Sequence, residues 1–477
     1  CRSRRGPGAR SSADVLAAQP GQGPEEALLG QLSGLSGRDL RGAVRIGRSS
    51  MPGGGRGLFA RRDFRAGEEI FSLPPEAALR AAADGGEGRL PPYDALALAL
   101  LRERSRGSES PYAAYIELLP SPEALSDHPA LWPPESSAEG AFGGSPRALR
   151  LLSTALRELA ACAERLASAG VDRRDAAWAL AAVVSREFEV AAGPDGTQPR
   201  HVALYPLLDF MNAGVGPSPA GGVAAFLEGL AVPWSCRCVI AADGGVRVNA
   251  ARAIAAGEEL LLAYQPLSSA ELLVNYGFLP AGNLYEGADL VVDLDEELAA
   301  EAGALREAKL AALRRWAGWE GPGGAMVLQL RNGVEGDGDA GGLLLPLARL
   351  LCLTSAEEVE RLCPGLFWMH PEGAGEPRSL GPALEAIARQ RVSRWVRRAL
   401  VLSAGAAEAA RGCNPGSPDR VRELALRLLE LERPVLERER DAAAEFCRAF
   451  LEVESEEDLL DLEERFWDDE TGWDGSG

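Results

Sequence analysis

The segment YPLLDFMNAG, residues 205–214, carries two polar side chains in an otherwise apolar run. Asp209 and Asn212 are three positions apart, and a stretch rich in Gly and Pro follows them. Burying a carboxylate or a carboxamide is unfavourable unless its hydrogen bonds are satisfied. The pair therefore indicates either a ligand-binding loop or an Asx turn that closes the apolar run.

Three other residues have side chains that could bind or orient a polar ligand. Arg186 lies in VVSREF, Tyr264 lies in LLLAYQ and Tyr276 lies in NYGF. Each has a structural alternative, because an Arg on a helix is commonly a surface residue. A Tyr in an apolar strand is usually a core residue whose hydroxyl is satisfied.

Several common kinds of catalytic site have little support in this sequence. The chain contains three His, which leaves few options for Ser-His-Asp or Cys-His chemistry. It has no H-E-x-x-H motif and no P-loop, and a strand pattern rather than a helix follows the GGGRG run at residues 53–57. The eight Cys include no C-x-x-C pair, so free thiols are expected rather than a zinc or disulfide site.

The composition is that of an ordinary globular protein with an acidic surface. The 477 residues are 46% hydrophobic and 25% charged, and the net charge is -20. This negative field repels nucleic acid, and no apolar run reaches the length of about 18 residues needed to span a bilayer. Neither nucleic acid nor a membrane is expected as a partner.

The elements that would position these residues alternate between strand-rich and helical parts. Strand patterns in AVRIG, LFARRDF and EEIFSLP precede a helical part at residues 77–190, which includes RRDAAWALAAVVSREFEV. Strand patterns return in HVALYPLL, GVAAFLEGLAV, CRCVIAADGGVRVNAA and EELLLAY, with ADGG as a tight-turn signal. After about residue 290 the patterns are those of long amphipathic helices.

One motif occurs twice. RDFRAGEE at residues 62–69 and RAIAAGEE at residues 252–259 share R-x-φ-x-A-G-E-E, where φ is apolar, and each leads into a strand. The simplest alternative is a common Gly turn used twice. Two similar hairpins on either side of the helical part instead predict one β-rich domain that is split in sequence.

The ordered set GRGLFARRDFRAGEEI, YAAYIELLPS, WALAAVVSREF, YPLLDFMN, AGEELLLAY and SSAELLVNYGFLP resembles the SET-domain protein-lysine methyltransferases, specifically the plastid Rubisco large-subunit methyltransferase-like family. The resemblance covers about residues 40–470. It implies an α+β fold, with a β-rich SET domain at 40–284 that contains a helical insertion at about 90–195. An all-α, helical substrate-binding domain at 285–477 would follow. Residues 1–24 lie outside the resemblance, and their composition predicts a disordered basic segment.

The resemblance also implies a cofactor, S-adenosylmethionine, and a role for each matching residue, with no metal. Cofactor-binding positions would be Arg56, Gly57, Arg186, Asp209, Asn212, Ala213 and Phe278. Arg186 would pair with the cofactor carboxylate. Tyr276 would be the catalytic residue that orients the lysine amine and the methyl group, and Tyr264 would line the lysine channel.

The sequence departs from the family pattern at Ala213, where the family has His after the Asn. This departure supports an alternative, a catalytically impaired relative that acts as a protein-interaction module. A third hypothesis is a helical scaffold whose β part is merely structural. It gives no role to Arg186, Asn212 and Tyr276 together. The sequence also has Gln265 where Gly is common in the family. No cysteine cluster follows Tyr276, and the absence of this cluster fits a non-histone substrate.

The expected partner is a protein with an accessible lysine, such as Rubisco large subunit or fructose-bisphosphate aldolase, and the chain is expected to be a monomer. Residues 1–12, CRSRRGPGARSS, contain four Arg, three Ser and no acid. This composition is typical of organelle transit peptides, and a disordered basic tail is the alternative. The expected location is the chloroplast stroma, with the cytoplasm as the alternative.

Overall fold

The structure is a computed structural model, and it describes a large part of the chain. The described residues are 23–49, 51, 54–81, 90–132, 141–190, 201–214, 234–264, 266–283, 285–301, 303–321, 324–331, 343–366, 382–412 and 420–451. Some predicted features lie outside them: most of the basic N-terminal segment, the strand pattern GVAAFLEGLAV, the Gly/Pro-rich stretch after residue 214, and Gln265.

The chain divides into two compact units. The first comprises residues 1–136 and 151–284, and the second comprises residues 137–150 and 285–477.

The first unit combines helices with short antiparallel strands. Its helices are α1 (Pro24–Ser36), α2 (Leu40–Ala43), α3 (Pro92–Ser105), α4 (Ala113–Leu118), α5 (Pro146–Ser168, whose first residues belong to the second unit), α6 (Arg173–Val184) and α7 (Ser269–Tyr276). Its strands are β1 (Val44–Arg48), β2 (Arg56–Ala60), β3 (Glu69–Leu73), β4 (Glu187–Val190), β5 (His201–Leu204), β6 (Cys236–Ile240) and β7 (Val246–Ala250).

The strands form three small antiparallel sheets, with the orders β1-β2, β3-β7-β6 and β4-β5. The tight turn predicted at ADGG joins β6 to β7, where Gly244 has φ +86. A left-handed backbone of this kind favours Gly. The strands that frame the helical part therefore come from both ends of this unit's sequence.

The repeated motif forms the same turn twice, and the two copies pair with each other. Phe64 and Ile254 exchange two backbone hydrogen bonds of 2.9 Å. In each copy the Arg donates to the first Glu of the motif, from Arg62 to Glu68 at 2.7 Å and from Arg252 to Glu258 at 2.5 Å. One unit thus contains both copies, as the repeat predicts.

The helix predicted through residue 190 ends earlier, so this part of the sequence prediction is wrong. α6 begins at its N-cap Asp172, whose side chain accepts from the backbone of the first turn, and it ends at Val184. The residues EFEV then form β4, which pairs with β5 from Glu187↔Leu204 to Val190↔His201. Tertiary pairing with a distant strand overrides the local helical pattern.

The second unit is mainly helical, which confirms the helical character predicted for the C-terminal part and the α+β class of the chain. Its helices are α8 (Leu294–Glu297), α9 (Ala304–Trp316), α10 (Leu344–Leu351), α11 (Ala356–Leu366), α12 (Pro382–Gly412) and α13 (Arg420–Leu451). It also contains an antiparallel pair of strands, β8 (Gly287–Asp293) and β9 (Ala325–Arg331), so this unit is not all-α. The alternation of buried and exposed residues in β9 shows a sheet with one buried face.

Each unit has its own apolar core. The first core includes most of the apolar residues of α6. It also includes the strand residues Leu58, Phe71 and Val248, which are fully buried. The second core joins the β8–β9 strand pair to the long helices. No helix in the described ranges is long and apolar enough to cross a membrane.

Candidate functional site

A cleft of about 680 Å³ opens in the first unit, and residues from widely separated parts of the sequence line it. Seven of the residues singled out from the sequence lie on its wall: Arg56, Arg186, Asp209, Asn212, Tyr264, Tyr276 and Phe278. Gly57 and Ala213 do not line it. The folding of distant segments around one cavity brings together side chains that the sequence places up to about 220 positions apart.

The segment that presents Asp209 has a strained backbone. Leu207 has φ 82 and ψ -44, and it is the non-glycine residue with positive φ among those described. Such a conformation costs about 1–3 kcal/mol and persists only when its surroundings impose it. Leu207 is fully buried and immediately precedes a short 3₁₀ helix, Leu208–Phe210, which turns Asp209 toward the cleft wall.

Asp209 is a buried carboxyl group with one of its two oxygens partnered. Its Oδ2 accepts from the Tyr115 hydroxyl at 2.8 Å and lies 3.4 Å from Nη1 of Arg186, which also donates to the Asp209 carbonyl at 3.0 Å. Oδ1 is buried and has no partner among the described residues. Burial raises the pKa of Asp209 to about 6, although Arg186 and the Tyr115 hydrogen bond oppose this.

Asp209→Asn is expected to change how stability depends on pH. Because the folded-state pKa of Asp209, about 6, exceeds the ordinary value of 3.8, the folded form binds the proton more tightly. The wild-type free energy of unfolding therefore falls as pH rises from about 4 to about 6, by about 3 kcal/mol in total from this group. Denaturant titrations should show the difference between wild type and Asp209→Asn changing across this window. A difference that is constant with pH contradicts the assignment.

Asn212 is held by two hydrogen bonds within the protein. Its Nδ2 donates to the Arg56 carbonyl at 3.0 Å and to Oε1 of Glu259 at 2.9 Å. The same Glu259 oxygen accepts from the Ser49 hydroxyl at 2.7 Å. Since both amide protons of Asn212 are used, its Oδ1 is the atom left to meet a ligand.

Gly57 serves this network. A Cβ on residue 57 would lie 2.3 Å from Oε1 of Glu259 and 3.3 Å from Nδ2 of Asn212. The missing side chain thus admits the protein's own carboxylate and carboxamide. The resemblance in sequence instead predicts that Gly57 admits a cofactor. No local pattern predicts this role, because Glu259 is 202 positions away.

Gly57→Ala is therefore expected to destabilise the protein by about 1–3 kcal/mol, the usual cost of overpacking. Gly405→Ala is the matched control, because a Cβ there would meet nothing within 4 Å. Gly405 lies inside helix α12, so the control should be stabilised by about 0.5–1 kcal/mol. Denaturant unfolding measures both. Equal effects of the two substitutions would show that the Glu259 network does not depend on Gly57.

Arg56 is the first residue of β2 and borders the cleft. Its Nη1 donates to the Leu118 carbonyl at 3.0 Å, which ties the strand to the end of helix α4. Its own carbonyl accepts from Asn212. The side chain thus fixes the cleft wall.

Three aromatic rings form another part of the wall. The rings of Tyr264 and Tyr276 are 4.9 Å apart between centroids, and those of Tyr276 and Phe278 are 6.3 Å apart. The Tyr264 hydroxyl donates to the Met211 carbonyl at 3.3 Å. The Tyr276 hydroxyl makes no hydrogen bond to any residue that the structure describes. Burial raises the pKa of both tyrosines, so both hydroxyls are protonated near neutral pH.

The glycine in NYGF has a structural reason. Tyr276 ends helix α7, and Gly277 has φ +75, the left-handed conformation common after a helix. A Cβ on Gly277 would lie 2.9 Å from Cα of His128. Burial lowers the pKa of His128 to about 4, so this cleft-lining imidazole is neutral near pH 7.

Ala213 is buried beside the cleft wall and pairs as an isolated bridge with Leu262. The segment is fixed by its neighbours, since Leu262 N donates to the Asn212 carbonyl at 3.0 Å and Gly214 N donates to the Leu262 carbonyl at 2.8 Å. The Ala213 backbone groups make no hydrogen bond to another described residue. The path of the backbone at Ala213 is thus anchored on both sides.

The cleft combines polar groups with a flat apolar surface. Arg186, whose side chain is 20% exposed, has a buried Nε without a partner in the described ranges. Oδ1 of Asp209 is also buried and has no partner there. These groups and Oδ1 of Asn212 fit an amino-acid-like group, which carries both a carboxylate and an ammonium. The aromatic rings fit a neutral or weakly polar part. The described residues contain no group of His, Cys, Asp and Glu that could hold a metal ion.

The sequence matches no protein-family model and no curated protein. The structure is similar to solved structures of SET-domain proteins. The SET domain of LSMT bound to lysine and AdoHcy matches 88% of this chain and 90% of its own, at 19% identity and a TM-score of 0.52. Rubisco LSMT bound to AdoMet matches 91% and 93%, with 19% identity and a TM-score of 0.52, and Rubisco LSMT bound to sinefungin and monomethyllysine matches the same shares with 19% identity and a TM-score of 0.54. This chain therefore shares the fold of these SET-domain structures over most of its length.

Proposed function

We propose that this chain is an S-adenosylmethionine-dependent protein-lysine N-methyltransferase acting on a non-histone protein. One observation carries the proposal: Arg186, Asp209, Asn212, Tyr264, Tyr276 and Phe278 all line a single cleft. Structures of the same fold have been solved with AdoMet, AdoHcy, sinefungin, lysine or methyllysine bound. S-adenosylmethionine would supply a methyl group on a sulfonium.

The polar end of the cleft would hold the amino-acid part of the cofactor. The guanidinium of Arg186 binds its carboxylate, and Oδ1 of Asn212 accepts from its ammonium. Oδ1 of Asp209 is a second buried acceptor, and the whole Asp209 side chain is removed from solvent. Phe278 lines the cleft and would pack against the adenine, and Arg56 holds the wall through its hydrogen bond to the Leu118 carbonyl.

The aromatic end would bind the acceptor lysine. A free lysine has a pKa of about 10.4 and must lose a proton before it can attack. Tyr264 and Tyr276 exclude water there, and a partly dehydrated channel disfavours the ammonium. The protonated, unengaged hydroxyl of Tyr276 orients the amine toward the methyl group, which is a contribution of position rather than of basicity.

The acceptor is proposed to be a plastid protein, such as Rubisco large subunit or fructose-bisphosphate aldolase, in the chloroplast stroma. The Arg- and Ser-rich composition of residues 1–12 supports this, as does the structural similarity to Rubisco LSMT. The net charge of -20 disfavours an acceptor protein that is bound to nucleic acid, because the two negative surfaces repel each other. The chain is proposed to act as a monomer.

Transfer of labelled methyl from S-adenosylmethionine into a stromal extract tests this function. A labelled protein band with wild type and none with Tyr276→Phe is the expected result, and mass spectrometry of the band identifies the lysine. Label that appears in a cytosolic extract instead would contradict the plastid acceptor. Cofactor binding without transfer to any extract would favour the alternative, an interaction module with an impaired site.

A further inference from the structure

Tyr115 lies behind the cleft wall and holds one of the residues that form it. It belongs to helix α4 and is fully buried. Its hydroxyl donates to Oδ2 of Asp209 at 2.8 Å, and its ring meets that of Phe210 edge-on, with 6.1 Å between the centroids. Asp209 and Phe210 line the cleft, whereas Tyr115 does not. Tyr115 therefore acts on a ligand in the cleft through these neighbours.

Helix α4 supports both arginines that line the cofactor end of the cleft. Its residue Tyr115 binds the carboxylate of Asp209. Arg186 Nη1 donates to the carbonyl of the same Asp209 at 3.0 Å and lies 3.4 Å from its Oδ2. The last residue of α4, Leu118, accepts from Nη1 of Arg56 at 3.0 Å. The helix thus holds Arg56 directly and Arg186 through Asp209.

We propose that Tyr115 is a positioning residue for cofactor binding, which keeps Asp209 ionised and so keeps Arg186 oriented for the cofactor carboxylate. The inference rests on the proposed function. A hydroxyl that donates to a carboxylate at 2.8 Å stabilises the charged form of that group. The ionised Asp209 holds Nη1 of Arg186 by charge as well as by the hydrogen bond to its carbonyl. The rest of the guanidinium is then left for a second carboxylate in the cleft.

Asp209 changes charge in the mildly acidic range, while the charged and titratable groups packed around it do not. Burial raises its pKa to about 6, and Arg186 and the Tyr115 hydrogen bond oppose this. Burial also raises the pKa of Tyr115 and of Tyr264, so both phenols stay neutral. Arg186 stays protonated, as does Arg56 of the strand β2 that packs against this turn. Cofactor affinity should therefore decline as Asp209 takes up a proton below about pH 6.

Calorimetric titration with S-adenosylmethionine between about pH 5 and 8 tests the inference, because the cofactor's own carboxyl group does not titrate there and its ammonium does so only near the upper end. Tyr115→Phe keeps the ring but removes the donor to Asp209, so the pKa of Asp209 rises. The decline in affinity should begin about one pH unit higher than in wild type, which lowers the affinity at pH 6 about fivefold and leaves it nearly unchanged at pH 8. A loss of equal size at every pH would overturn the inference, because a purely structural role predicts it.

Tyr112→Phe is the matched control on the same stretch of chain. The Tyr112 hydroxyl donates to the Ala78 carbonyl at 2.8 Å, and Tyr112 does not line the cleft. This variant loses one hydrogen bond of the same length without touching Asp209. Its cofactor affinity and the pH at which that affinity declines should match wild type. A shift as large as that of Tyr115→Phe would show that the bond to Asp209 is not the cause.

Asp209→Asn decides the matter if Tyr115→Phe fails to fold. The amide does not ionise, so the decline in cofactor affinity at low pH should disappear. A wild-type affinity that is constant from about pH 5 to 8, or a decline that persists in Asp209→Asn, contradicts the inference. If wild type binds no S-adenosylmethionine at any pH, the proposed function fails and this inference fails with it. Binding with an unmoved decline in Tyr115→Phe overturns this inference alone.

Discussion

Tyr276→Phe should bind S-adenosylmethionine as tightly as wild type and lose about 10²-fold or more in methyl-transfer rate. The substitution removes one hydroxyl, which makes no hydrogen bond to any described residue. The ring contacts with Tyr264 and Phe278 involve the ring that Phe retains. The fold and the cofactor end of the cleft should thus be unaffected, while the group that orients the lysine amine is lost.

Tyr264→Phe is the matched control for this result. It also removes one buried hydroxyl, but that hydroxyl donates to the Met211 carbonyl at 3.3 Å, so it is engaged within the protein. We expect a smaller loss of rate together with a loss of stability of about 0.5–1.5 kcal/mol. Single-turnover rates and denaturant unfolding measure the two effects. A Tyr276→Phe enzyme with the wild-type rate would remove the role given to Tyr276.

Arg186→Ala should weaken S-adenosylmethionine binding by about 2–5 kcal/mol, which is at least about 30-fold in affinity. The guanidinium is the cationic group proposed for the cofactor carboxylate, and it also faces the buried Asp209 at 3.4 Å. Its removal leaves that carboxyl without its counter-charge, so the pKa of Asp209 should rise further. Calorimetry measures the affinity, and denaturant unfolding measures the cost to the fold.

A double variant separates the two roles of Arg186. Arg186→Ala with Asp209→Asn removes both charges, so the stability lost in the single variant should be largely recovered. Cofactor affinity should remain low, because the carboxylate partner is still missing. Arg186→Lys should retain part of the affinity, since it keeps the charge but lacks the planar fork that binds a carboxylate at two points. Recovery of affinity in the double variant would show that Arg186 acts only through Asp209.

Much of the fold was predictable where local chemistry and tertiary structure agree. The turn at ADGG requires a left-handed residue and contains Gly244 at that position. The repeated R-x-φ-x-A-G-E-E motif predicted two similar turns in one unit, and the structure pairs the two copies at Phe64 and Ile254. The hairpins predicted there are not formed, because β2 pairs with β1 and β3 pairs with β7. The β4 strand was missed because EFEV continues an apolar helical pattern, and only pairing with β5 makes it a strand.

The sequence pattern also does not predict the antiparallel pair β8–β9, for a different reason. Its strands are separated by helices α8 and α9, so no short turn signal joins them in sequence. The surrounding segments have strong helical periodicity, so the sequence pattern of this region predicts helices. Long-range strand pairing is set by tertiary contacts that a local pattern does not contain.

The cleft was predictable in its main residues but not in the groups that support them. Arg186, Asp209, Asn212 and Tyr276 have unusual chemistry for their apolar contexts, and this made them visible in sequence. Ser49, Tyr115 and Glu259 support them, yet each is an ordinary residue at a distant position. The strained backbone at Leu207 had no sequence signal either, since Leu is disfavoured at positive φ.

Calorimetric titration of the purified chain with S-adenosylmethionine decides most directly whether the cleft is a cofactor site. We predict saturable binding of one molecule per chain, weakened at least about 30-fold in Arg186→Ala and unchanged in Tyr276→Phe. The absence of binding to the folded wild-type chain, or equal affinity of wild type and Arg186→Ala, would contradict the assignment of this cleft.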